Sequence, residues 1–368
     1  MGEVVEQNSN LGSDIRTYYC NVIYCTSPLT GFYRYKDIFQ VYPIPKQFDL
    51  SNEKVNHFPI LLEYWTVDSE KQKITDETFE GLEDFMSSST AQNNKLHLLI
   101  RLLSVFTNYR FFSYKAELSW FVSTEDDVVK NIREYSSDWG LNLYTTKNLS
   151  ERLRITKFSD TEVDEVKYES FGQYFTRPHF DERHTAITFN NWTDSLFDAY
   201  YQLSLDSRNA FDASATLIYN AQELRLRMKS LSFVSFISSI ETLSAFVFKD
   251  RVKEIAFECK SCKTIKASPY KCGTCGNPIW GISQQFKEFL RMFLSSDKKY
   301  NPIYNKIYGI RSAIVHSGNL LLGDSFIDWG TEEKQTDEWR TLITLMQYSK
   351  MSVNKWLLKD FLNGNGES

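Results

Sequence analysis

Two hydrophobic periods divide this chain. Before residue 190 the pattern is that of strands. Thr17–Cys25, Gly31–Tyr42 and Phe58–Val67 are dense in Tyr, Ile, Val and Phe, side chains that suit a pleated surface, and Pro43 and Pro45 close the second. Phe112, Tyr114, Ala116, Leu118, Trp120 and Val122 alternate with Ser113, Lys115, Glu117 and Ser119, which predicts an antiparallel strand with one buried face. One helix interrupts them, since Leu96, Leu99, Ile100 and Leu103 share a face over Asn94–Phe106.

From Trp192 the period lengthens to that of helices, predicted over Trp192–Leu203, Ser207–Arg227, Leu231–Phe248, Ile282–Leu294, Ile303–Gly318 and Asp337–Phe361. On Leu231–Phe248 the residues Phe233, Phe236, Ile237, Ile240, Leu243 and Val247 make one face. Glu241 and six serines or threonines in the same run make it a core helix, not a membrane span. The fold class is therefore α+β. An N-terminal domain of mixed strands and helix occupies residues 1–190, and an all-α bundle occupies 191–368 with a small cysteine-bearing insertion at 256–280.

Cysteines and charge refine this picture. Cys259 and Cys262, then Cys272 and Cys275, form two C-x-x-C knuckles. Each turn presents two thiolates, and Gly273 and Gly276 let the backbone fold round a metal, so the four suit tetrahedral Zn²⁺ in a zinc ribbon. Four thiolates leave no position for a substrate water, which makes the ion structural. Residues 1–15 are polar and acidic with no apolar run, so no secretory signal, no membrane and a reducing cytoplasm are expected. Cys20 and Cys25 are read as buried thiols, and the loop group His179, Asp181 and His184 as solvated. The net charge of −5 excludes a basic footprint over the whole protein. Between Lys249 and Cys272, however, seven basic side chains stand against three acidic ones. Such a ribbon either meets phosphates or is simply solvated.

The most informative stretch is Ile303–Gly318. As a helix it lines up Ile303, Tyr304, Ile307, Ile310 and Ile314, with Arg311 inside that apolar stripe. A guanidinium among isoleucines is costly unless paired or used. His316 follows roughly 140° round the helix, and Ser317-Gly318 supplies a stop. The plain reading is an Arg in an internal salt bridge and a His near a helix end.

Arg311 and His316, in this setting, resemble the R-x4–6-H motif of the HEPN superfamily, most closely its ApeA-like branch. The likeness covers about Trp192–Phe361 without the ribbon; residues 1–190 resemble no family. It implies a metal-independent endoribonuclease acting as a homodimer on RNA, in bacterial anti-phage defence or as a toxin. The motif helices would then meet at one shared site, with Arg311 stabilising the phosphorane and His316 moving protons. An acidic residue on the preceding helix is common in that branch, which makes Glu241 the partner sought for Arg311; a surface-facing rim carboxylate is the alternative. Many of these nucleases carry Asn directly after the Arg, where this chain has Ser312, a donor without the amide's geometry. The N-terminal domain would sense a phage or host trigger. The competing reading is a non-catalytic HEPN dimerisation module whose basic zinc ribbon holds nucleic acid or a protein partner.

Overall fold

A computed structural model of the chain describes residues 15–45, 58–70, 83–113, 122–124, 144–146, 151–176, 185–249, 257–266, 274–275, 281–324 and 332–359. The chain divides into two units. The first takes Met1–Ile100, Phe111–Lys167 and Asp181–Ile187; the second takes Arg101–Arg110, Tyr168–Phe180 and Thr188–Ser368.

In the first unit, β1 (Arg16–Cys25), β2 (Tyr33–Tyr35), β3 (Phe39–Pro43), β4 (Phe58–Val67) and β5 (Phe111–Phe112) form one antiparallel sheet in the order β2-β3-β4-β1-β5. Its centre is the long pair β1–β4, in register from Arg16 opposite Val67 to Cys25 opposite Phe58. Both strands were legible because β-branched and aromatic residues crowd them, and Ile23, Ile60, Leu62 and Tyr64 are fully buried. The single strand expected over Gly31–Tyr42 is instead a hairpin. Lys36 turns the chain in the left-handed region at φ 49°, and Ile38 N–H donates to the Tyr35 carbonyl at 3.1 Å.

The helix expected from Asn94 starts earlier, as α1 (Glu83–Phe106). The alternating run that begins at Phe112 enters the sheet through β5, and its residues 114–121 lie outside the described residues, as do His179, Asp181 and His184. Two short strands beyond it, β6 (Val122–Thr124) and β7 (Tyr144–Thr146), pair in parallel. Cys20 and Cys25 are both buried and in no disulfide.

The second unit is mostly helical. After β8 (Tyr168–Glu169), α2 (Phe171–Thr176) and β9 (Phe189–Asn190) come α3 (Thr193–Tyr201), α4 (Leu205–Leu224) and α5 (Lys229–Phe248). A small hairpin of β10 (Phe257–Glu258) and β11 (Ile265–Lys266) follows, then α6 (Ile282–Phe293), α7 (Asn301–Ser317) and α8 (Glu332–Leu357). These helices lie within a few residues of the spans the sequence predicts. Helix α5 packs along α4, α8 lies across α4, α5 and α6, and α7 rests on α5 and α6. Phe233, Phe236, Ile240 and Leu243 of α5 are fully buried here, beside Phe211, Ile218 and Trp356. By length and composition α5 could also cross a membrane; half of it is buried inside this bundle.

Two polar anchors hold the bundle, and neither has a local sequence signature. Lys350 is fully buried, and its ammonium donates to the Thr107 carbonyl at 2.7 Å and to Gln222 Oε1 at 3.2 Å. Asp324, which follows α7, accepts from the backbone N–H groups of Lys229 and Ser230 and so caps α5 where Met228 has no side chain able to do it. Leu322 N–H donates to Glu338 at 2.7 Å and Leu321 N–H to Ser230 Oγ at 2.8 Å. The segment leaving α7 is thereby tied to the starts of α5 and α8, which fixes the end of the helix that carries His316.

Candidate functional site

Helix α7 places the predicted pair. Pro302 sits in its first turn, where a missing N–H costs nothing. Gly318 ends it in the left-handed conformation at φ 66°, open to glycine without strain. His316 therefore falls in the last turn and is exposed, while Arg311 lies one turn earlier and is mostly buried.

Although the two side chains leave the helix at different azimuths, they converge. Arg311 Nη1 lies 3.4 Å from His316 Nε2. That contact is a hydrogen bond in the tautomer whose proton sits on Nδ1. On its other side Arg311 Nη2 donates to Glu241 Oε2, also at 3.4 Å, and the two side chains are only 18% and 14% exposed. Glu241 is thus no rim carboxylate on the surface; α5 turns it towards α7. Ser312 is half-buried next to Arg311 and has no hydrogen bond that links it to the group.

The sequence reading missed Tyr308. It lies three residues before Arg311, on the same side of α7, and its ring stands 5.7 Å from the guanidinium carbon. Phe286 of α6 packs against that ring at 5.3 Å. Burial, reinforced by the Glu241 carboxylate, raises the Tyr308 phenol above its ordinary range, so it is a neutral wall of the site at physiological pH. The i,i+3 spacing to Arg311 was the available signal.

The site is incompletely satisfied. Arg311 Nε and Glu241 Oε1 are both buried with no hydrogen-bond partner among the described residues. At 3.4 Å the ion pair is also long for a charge-assisted bond, whose N···O distance is typically about 2.7–2.9 Å. Arg101 and Arg208 leave Nε in the same condition, so the unpaired atoms mark room for a water or ligand at this pair without being peculiar to it.

The apolar stripe of α7 departs from expectation. Only Tyr304 and Ile307 are buried; Ile303, Ile310 and Ile314 are half-exposed. Val315 is 48% and Leu320 49% exposed. Helix α7 packs on α5 and α6 and reaches α8 through Tyr304 against Tyr348 and Lys306 with Asp337, which leaves three of its five stripe residues partly exposed among the described residues.

The cysteines lie apart from this group. Cys259 and Cys262 sit in the turn of the β10–β11 hairpin, where Cys259 N–H donates to the Thr264 carbonyl at 3.0 Å and Lys263 N–H to the Cys259 carbonyl at 2.8 Å. Lys263 takes φ 59° to close that turn. Cys275 comes back to it, so that the three sulfurs all lie within 4.8 Å of one another. Cys259 Sγ is 3.3 Å from Cys275 Sγ, too far for a disulfide at about 2.05 Å. A metal about 2.3 Å from each sulfur in a tetrahedron would set them about 3.8 Å apart, so the three thiols fit one ion. Cys272 lies outside the described residues.

Comparison with protein-family models, with curated proteins and with solved structures returned no match.

Proposed function

We propose that this chain is a metal-independent endoribonuclease of the HEPN type that works as a homodimer. The observation that carries the reading is the convergence of Arg311, His316 and Glu241 at the end of α7, with exposed Val315 and partly exposed Ile310 and Ile314 beside it. In the reaction the RNA 2′-oxygen attacks the adjacent phosphorus and the 5′-oxygen leaves. An imidazole takes the 2′-OH proton and an imidazolium gives a proton to the departing 5′-oxygen; two copies of His316 divide these transfers, and one copy can carry both in turn, more slowly. Arg311 offers a fixed fork to the phosphoryl oxygens, whose charge grows in the transition state. Glu241 and the Tyr308 ring hold that fork from behind. Joining two copies through the α7 stripe covers Ile310, Ile314 and Val315 and brings the two pairs into one cleft. The setting proposed is defence against phage or toxin action. The sheet unit is the trigger-sensing part.

Mixing two variants tests the shared site. Chains carrying Arg311→Ala and His316→Ala, each strongly slowed alone, are expected to cleave faster when co-refolded than either does by itself, because the mixed dimer holds one Arg and one His. No activity in isolated mixed dimers, or a monomeric wild-type protein under assay conditions, contradicts the proposal.

One observation favours the non-catalytic reading. Arg311 has an ion-pair partner, as a purely structural arginine would. The exposed histidine at its other side has no place in that account.

The ribbon is proposed as a structural zinc site, with Cys272 the fourth ligand beside Cys259, Cys262 and Cys275. Metal analysis of protein purified without chelator should return about one zinc per chain. Cys259→Ser should release it and loosen the insertion, because metal binding here doubles as local folding energy. The far-ultraviolet helix signal should persist. No metal in the wild-type protein would sink this assignment. The seven basic residues around the knuckles make this ribbon a second contact for RNA phosphates.

A further inference from the structure

The sheet unit contains a cavity of about 660 Å³, within the range of roughly 300–1,000 Å³ usual for small-ligand sites. Leu29, Ile44, Phe58 and Val163 line it together with four prolines, which make a rigid wall that offers no N–H donor. The polar part of the lining is of two kinds. Arg152 is half-buried, and Asp160 and Glu162 are exposed.

Arg152 is held by a relay that starts inside the sheet. Glu63 is fully buried, and both its oxygens are satisfied. Gln40 Nε2 and Ser159 N–H donate to Oε2, both at 2.8 Å, while the Tyr42 hydroxyl and Ser159 Oγ donate to Oε1. Each hydroxyl has thus committed its proton to Glu63 and turns a lone pair outwards. Arg152 Nη1 donates to Ser159 Oγ at 2.9 Å and Nη2 to the Tyr42 hydroxyl at 3.2 Å. These bonds use two of the guanidinium's five N–H donors, and no carboxylate among the described residues lies within 4.0 Å of it. The fork is pre-oriented, charged and available to the cavity.

The rim is fixed too. Phe32 N–H donates to the Asp164 carbonyl and Val166 N–H to the Phe32 carbonyl, both at 2.9 Å. Gly31 permits this approach, since a Cβ there would stand 2.8 Å from the Asp164 oxygen. Residues 160–163 are thereby held over the cavity by backbone bonds.

The charges select the ligand. A simple anion would suit Arg152 but share the cavity with the Asp160 and Glu162 carboxylates; a simple cation would meet the reverse problem. We propose that this cavity binds an apolar zwitterion, an α-amino acid or short peptide with free ends. Its carboxylate pairs with Arg152, its ammonium lies at Asp160 and Glu162, and its apolar body rests on the proline wall. This site stands independently of the Arg311 chemistry.

The probe is leucyl-phenylalanine, titrated calorimetrically into the full chain beside its N-acetylated and C-amidated forms and free phenylalanine. Saturable binding at about 1 mM or tighter is expected, about tenfold weaker when either end is blocked. Arg152→Gln should weaken the free dipeptide about tenfold and leave it equal to the amide. Glu162→Lys, at an exposed position, should weaken the free dipeptide more than the acetylated one. Phenylalanine binding as tightly as the dipeptide identifies an amino-acid site; a tighter dipeptide identifies a peptide site. No saturation by either probe, or equal binding of free and blocked forms, overturns the proposal. Should Arg152→Gln fail to fold, unchanged dipeptide affinity in Glu162→Lys overturns it as well.

Discussion

Arg311→Ala should lower RNA cleavage by about 10²–10³-fold, the usual cost of removing one preorganised donor from a developing oxyanion. The substitution also strands Glu241, whose Oε1 is already without a hydrogen-bond partner among the described residues. Stability will therefore fall, by up to about 3–5 kcal/mol if the pair behaves as a fully buried one. The 3.4 Å separation and the residual exposure of both side chains argue for a smaller loss. Adding Glu241→Gln separates the two effects. Neutralising the stranded carboxylate should restore most of the melting temperature in the double variant and none of the cleavage. A double variant that is folded and fully active would remove Arg311 from the chemistry. Lysine at position 311 keeps the charge but loses the fork, so it cannot serve Glu241 and a phosphate together. It should recover stability more than activity.

How far the sequence reached differs between the two units, and the reason is physical. The faces of α5 and α8 were legible because a helix buried on one side repeats its apolar residues locally; Phe233, Phe236 and Ile240, then Leu342, Ile343 and Val353, are all buried as that pattern requires. The hairpin at Lys36 was not, because a lysine in the left-handed region carries no turn signature of the kind glycine or asparagine gives. Polar anchors across long separations were equally hidden. Asp324 caps a helix 95 residues away, and Ser159 serves a carboxylate 96 residues away. No window of sequence joins them.

At the site, Arg311 stood out as a cation inside an apolar stripe, but its pairing with His316 and with Glu241 came from the resemblance. Their meeting depends on side-chain length. A guanidinium reaches round α7 to a ring that helix geometry puts on another azimuth. Tyr308 was passed over because its row looked like ordinary packing. The partial exposure of Ile310 and Ile314 was invisible for a different reason: an apolar stripe has the same period whether its own bundle covers it fully or in part.

His316→Ala bears on the central claim more directly than any other change. The ring is exposed at the end of α7, so its removal opens no cavity and should leave the melting temperature nearly unaltered. Of the side chains brought together here, the imidazole is the one whose chemistry suits proton transfer, so proton movement to and from RNA should slow sharply without it. The deciding measurement incubates RNA with purified wild-type and His316→Ala protein in chelator, kept brief and paired with a circular-dichroism control because the ribbon can lose its metal. Wild-type protein should cut, leaving 2′,3′-cyclic phosphate and 5′-hydroxyl ends, and His316→Ala should be slower by about 10²–10⁴-fold. Equal cleavage by the two proteins, or none by either, would contradict the account.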